Sequence, residues 1–146
     1  MTLTELVAEI EGRMDGPHAD EDTTAAAWLA AEAIRYLNYA SGSHSATGLE
    51  FPSTVYTIAG GLSAAAYRMQ QLFEQLARYL ADQDAAGLVG TDDGTPTHRT
   101  VAAAKGRLNT AVKLAAGLDH ELAQLQNTLA ILNGRGPNRA GTAVLP

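Results

Sequence analysis

The side chains able to do chemistry are scattered along the chain, and their spacing limits what they could do. Asp119, His120 and Glu121 are consecutive. On a helix, at about 100° per residue, three neighbours fan out over about 200° and cannot converge on one ion by themselves. The Glu-x-x-His pairs that hold di-iron centres in four-helix proteins do not occur. The run DQDAAGLVGTDD, Asp82 to Asp93, can be laid over a calcium loop, with Asp82, Asp84, Gly87, Val89 and Asp93 at suitable positions. Ala86 removes a ligand, however, and Asp93 stands where a longer bidentate Glu is needed, so a helix connection carrying acids for solubility is the preferred account. His18, His44, His98 and His120 are spread along the chain, and no Gly-x-Ser-x-Gly elbow marks a nucleophile. No catalytic, cofactor-binding or metal-ligating residue is assigned, and no cofactor is expected.

Two polar groupings remain. Arg99, Lys105, Arg107 and Lys113 give the start of the last helix a positive bias, with no acid between Thr97 and Leu118. Phosphates could use such a stripe, but the four charges spread around the helix and the chain is acidic overall, so a solvated face is expected and nucleic acid is not. Gln70, Gln71, Gln75, Gln124 and Gln126 fit exposed helix positions, and Glu74 and Arg78 are spaced for an i,i+4 ion pair.

Composition bounds the rest. The 146 residues suit one domain, and 46% hydrophobic content with 5% aromatics, much of it alanine, favours helices over sheet. Residues 1 to 22 hold seven acids against Arg13, while the remainder balances at nine and nine, so the net charge of −6 belongs to the first segment. The absence of cysteine excludes disulfides, thiolate metal sites and a Cys nucleophile. Acids rather than bases fill the first ten residues, and no apolar run approaches the about 20 residues of a membrane span, so a cytoplasmic protein without membrane contact is expected.

Four helices account for the periodicity. Leu3, Leu6, Val7, Ile10 and Met14 form the apolar stripe of a short first helix, which Gly16 and Pro17 end. A second helix is expected from about Thr23 to Ala40, with Asp20, Glu21 and Asp22 before it and an inward face of Ala26, Leu29, Ala30, Ala33, Leu37 and Ala40. Ser41 to Pro52 reads as a loop and is, on general grounds, a candidate functional loop. A third helix follows from Pro52 or Ser53 to about Asp82, with a seam at Val55, Ile58, Leu62, Ala65, Met69, Leu72, Leu76 and Tyr79. After the glycine-rich connection Ala85 to Pro96 comes the longest stripe. Val101, Ala104, Leu108, Ala111, Ala115, Leu118, Leu122, Leu125, Leu129 and Leu132 follow at three- and four-residue steps, a heptad seam on a helix roughly 50 Å long.

Docked as an antiparallel hairpin turning near Asp92, seam positions of the two long helices pair when their numbers sum to about 184. Leu76 then meets Leu108, Met69 meets Ala115, and Leu118, Leu122 and Leu125 are expected to be buried. Gly60 and Gly61 lie inside the third helix and are expected to serve close approach, a bend being the alternative. The fold class expected is all-α and four-helix bundle-like: a long antiparallel hairpin of the third and fourth helices, with the two shorter N-terminal helices packed along it. Residues 1–133 would form a single helical domain, and 134–146 a disordered tail.

The runs AAWLAAEAIRYLNYA and GLEFPSTVYTIAGGLSAAAYRMQQLFEQLARYL, with the leucine seam after Val101, resemble a group of small alanine-rich helical proteins of actinobacteria. The similarity covers residues 23 to 132. It implies a helical fold and supplies no activity or catalytic residue. The chain departs from the secreted WXG type of hairpin, because Trp28 is followed by Leu29 and Ala30 and lies outside the hairpin turn.

The function expected is a non-enzymatic protein–protein interaction or scaffolding role, with the chain itself as partner in a homodimer. Val112, Leu114 and Ile131, flanking the last seam, and Trp28, Tyr36 and Tyr39 on the second helix are the candidate interface residues. A small-molecule or metal-binding bundle and a nucleic-acid-associated regulator are the alternatives.

Overall fold

In the computed structural model, residues 1–42 and 48–132 are described, and every regular element among them is an α-helix. The tail 134–146, and residues 43–47 of the candidate loop, lie outside the described residues. The chain divides into two units, Met1–Gly48 and Leu49–Pro146.

In the first unit, α1 spans Leu3–Gly12 and α2 spans Asp20–Ala40. Thr2 starts α1 through a capping box: its hydroxyl accepts from the Glu5 amide at 3.2 Å, and its own amide donates to Glu5 Oε2 at 2.6 Å. The second helix begins earlier than Thr23, because Asp20, Glu21 and Asp22 occupy its first turn, where free amides and the helix dipole favour carboxylates. Neither helix packs on the other, and neither holds a buried residue. The expected inward face of α2 is therefore corrected: Ala26, Leu29, Ala30 and Ala33 are exposed, with only Leu37 and Ala40 half-buried. Alanine methyls carry too little apolar area to demand burial.

In the second unit, α3 spans Pro52–Ala85 and α4 spans Thr97–Leu129. Pro52 sits at the helix start, where its missing N–H has no intrahelical partner to lose. The end of α3 is a Schellman motif. Gly87 takes φ +68°, its amide donates to Asp84 O at 3.0 Å, and the Leu88 amide donates to Gln83 O at 2.9 Å. Across the rest of the connection Asp93 Oδ1 accepts from the Thr95 amide at 3.0 Å, Gly94 takes φ +75°, and the Thr91 hydroxyl donates to the Thr95 carbonyl. These short-range bonds turn the chain sharply enough for α3 and α4 to pack against each other as an antiparallel pair. The docking register agrees with the expected one to within a fraction of a turn. Ser63 bonds Asp119 and Gln126 bonds Tyr56, both pairs summing to about 182.

The rotational phase of α3 does not follow the expected seam. Ala59, Ala66 and Ala77 are buried on this helix and Val101 and Ala115 on α4, and these small residues make the core of the hairpin. The expected third-helix seam lies one residue earlier, and one residue is about 100° of rotation. Leu72 is 47% and Leu76 43% exposed, whereas Ala66 is 1% exposed. On α4 the burial of Leu118 is corrected as well, since it is 51% exposed. Leu125 is exposed and Leu122 half-buried. A straight helix drifts about 20° per heptad away from a 3.5-residue seam, so the contact line passes from Val101 and Ala115 toward Asp119 and Gln126 instead of following the leucines. Small side chains permit a close approach that a double row of leucines would hold apart.

Candidate functional site

The shift of phase gives the hairpin two chemically different faces. On α3, Met69, Leu72, Leu76 and Tyr79 lie within an arc of about 80°, roughly a right angle from Ala66 and Ala77. On α4, Leu114, Leu118 and Leu125 lie at a similar angle from Val101 and Ala115, displaced in the same rotational sense. Antiparallel helices are seen from opposite ends, so equal offsets in one sense carry both sets to the same side. These exposed large side chains of the two helices thus line a single face.

Polar ties cross the contact line at its edge away from this face. Ser63 Oγ donates to Asp119 Oδ1 at 2.6 Å, a charge-assisted bond between half-buried side chains. One heptad away, Gln126 Nε2 crosses Gly60 and donates to the Tyr56 carbonyl at 3.3 Å. A methyl at Gly60 would strike the Gln126 amide, whereas one at Gly61 would meet nothing within 4 Å. Close approach therefore holds for Gly60 alone, and α3 continues through both glycines without a break. A shallow open groove lies along that polar edge between Gly60, Ser63, Tyr67, Gln71 and Asp119, and a second nearer the turn between Asp84, Ala85, His98, Ala102 and Lys105.

The residues singled out for chemistry disperse. Asp119 is engaged by Ser63, while His120 and Glu121 are exposed. Asp82 and Asp84 belong to the last turn of α3, and their carbonyls are taken by Ala86 and Gly87, so the calcium-loop alignment has no loop to occupy. Asp93 is held below the usual carboxylate range by the backbone N–H of Thr95, with the Thr95 hydroxyl adding to the effect. Among the described residues no three His, Asp or Glu side chains gather into a metal-sized group, and no helix is long and apolar enough to cross a membrane. The Glu74 and Arg78 ion pair is not formed. Ion pairs among the described residues join Arg13 to Glu9 at 2.8 Å, Arg35 to Glu32 at 3.3 Å, and the N-terminus to Glu5.

Of the candidate interface residues, Leu114 and Ile131 are exposed, Leu114 at the edge of the apolar face and Ile131 just beyond the end of α4. Val112 lies half-buried on the other side of α4 from Leu114. Trp28, Tyr36 and Tyr39 are exposed along α2, with the Arg35 guanidinium 5.8 Å from the centre of the Tyr39 ring. Sequence reasoning missed Ser63, Asp119 and Gln126 as interhelical partners. Their positions satisfy the docking register, which was the available signal. No family model, curated protein or solved structure matches the chain.

Proposed function

We propose that this protein is a non-enzymatic helical interaction module that acts by self-association. The observation that supports this is the inversion of size between core and surface in the hairpin. Its buried residues are four alanines and one valine, while every leucine and methionine of α3 and α4 keeps solvent contact. Fully burying a leucine contributes about 1.5–3 kcal/mol, and that contribution is left for a partner to realise. Exposed apolar residues gathered on one side mark an interaction surface more specifically than the same residues scattered. Light scattering coupled to size exclusion at micromolar concentration tests the reading. The expected mass is twice the 15.3 kDa chain, retained in about 1 M salt because aliphatic packing is not screened. A mass of one chain under those conditions overturns it.

A further inference from the structure

We infer that the interface, on the self-association reading above, is the apolar face of the hairpin, with two copies stacked face to face and their turns at opposite ends. The occupant is a second copy of this chain, and three properties of the face support that choice.

Area is the first. Met69, Leu72, Leu76 and Tyr79 on α3, with Leu114, Leu118 and Leu125 on α4, are 40% to 70% exposed. Together they present on the order of 700 Å² of mainly apolar surface, close to the roughly 800 Å² per partner of a standard stable interface.

Shape is the second. Near the turn the face is large on α3, at Leu72, Leu76 and Tyr79, while on α4 it carries Ala104 and Ala111 beside the long, flexible side chain of Arg107. Toward the open end the order reverses, with Gly61 and Ala65 on α3 opposite Leu118 and Leu125 on α4. A two-fold axis across the hairpin at the level of Met69 and Leu114 lays each helix antiparallel on its own copy. Leu72 then covers Ala65 of the other copy, Leu76 covers Gly61, Leu118 covers Ala111 and Leu125 covers Ala104. One axis serves both helices, because Met69 and Leu114 lie at nearly the same height in the observed register. The empty space over Gly61 receives a side chain in this arrangement. A closed two-fold contact of this kind needs no second surface.

Charge is the third. Arg107 and Glu121 stand one heptad to either side of Leu114 along the face on α4, and the same axis brings Arg107 of each copy to Glu121 of the other. It also separates the two acidic turns, each carrying Asp82, Asp84, Asp92 and Asp93 near its tip, which a same-end dimer would bring together. Arg68 of the two copies falls at the same height on the outer edge, where its long stem lets the guanidinium reach solvent.

Because the chain has no cysteine, a single Asp92→Cys substitution at the exposed turn takes one spin label per copy. Pulsed dipolar spectroscopy of the doubly labelled dimer should read about 50 Å, the length of the hairpin. A dimer by mass with labels within about 25 Å overturns the opposite-end stacking and leaves self-association standing, whereas one-chain mass for the natural sequence overturns both. Leu72→Glu with Leu118→Glu, at positions half exposed in one copy, should give a helical monomer, and Gln71→Glu at the polar edge should leave the dimer intact. A double-Glu variant that stays dimeric overturns the choice of face. Should that variant lose its helicity, Arg107→Glu and the exchange Arg107→Glu with Glu121→Arg decide instead: the single change should weaken the dimer at least several-fold and the exchange should restore it. Equal affinity in all three overturns the pairing.

Discussion

Gly60 offers a measurement of how closely the two long helices are fitted together. Replacing glycine by alanine inside a helix ordinarily gains about 1 kcal/mol. Gly106 and Gly117 are helical, exposed and open around the missing Cβ, so alanine at either should deliver that full gain. At Gly60 the new methyl meets the amide of Gln126, which must swing away and release the Tyr56 carbonyl. A net hydrogen bond contributes about 0.5–1.5 kcal/mol, toward the lower end where solvent can replace it. Gly60→Ala should therefore lie within about 0.5 kcal/mol of neutral, and in a Gln126→Ala background it should recover the full gain of about 1 kcal/mol. Urea unfolding at one fixed protein concentration, extrapolated for the four members of the cycle and for Gly117→Ala, measures each term. A coupling below about 0.2 kcal/mol between positions 60 and 126 would refute the crossing of Gln126 over Gly60. A loss of several kcal/mol would show that backbone, not a movable amide, stands opposite the glycine.

Ala66→Leu should destabilise by about 1–3 kcal/mol through overpacking of the most buried position of the hairpin, and chemical denaturation that finds it neutral would return the core to the leucine row. Asp119→Ala removes the acceptor of Ser63 and should cost about 1 kcal/mol, whereas His120→Ala, on an exposed neighbour, should change stability little; equal effects would count against the observed phase of α4. Thr2→Ala should cost about 0.5–2 kcal/mol of helix stability at α1, seen as loss of protection in its first turn by amide exchange. Asp93 should titrate below an ordinary aspartate in a carboxyl NMR titration, since the Thr95 amide favours its ionised form. Its contribution to the turn is thus present above the unfolded-state value and lost as pH falls through the lower folded one, and an ordinary midpoint would remove the Asp93–Thr95 bond.

The elements of this fold were largely legible, because their ends carry local chemistry. Pro52 at the start of α3, Gly87 at its end and the glycines of the connection punctuate the helices within a few residues of their positions, and the docking register followed from the short turn alone. The phase of the α3–α4 contact was not legible, for a physical reason. Hydrophobic periodicity locates the large side chains, Leu72, Leu76 and Leu118, but two helices in close contact are set by where backbones can approach, and here that is Ala59, Ala66, Ala77 and Ala115. A row of leucines marks where apolar surface is, not whether the same chain covers it. Ser63, Asp119 and Gln126 each look like ordinary surface residues, and only the register places them opposite one another.

The stitched turn also has a mechanical consequence. Tyr56 and Gln126 are 70 residues apart and Ser63 and Asp119 are 56 apart, while the bonds of the turn span only a few residues. Each pair formed from the turn outward shortens the loop that the next must close, and closure entropy grows only slowly with length. The hairpin can zip from its closed end at little entropic cost per step, the topology associated with rapid folding. Both ends of the pair, Pro52 and Leu129, emerge at the open end, so a load applied through them peels contacts one at a time instead of shearing them together. Opening under tension should begin at Tyr56 and Gln126 and travel toward the turn, with the Thr91 to Thr95 clasp the last to part.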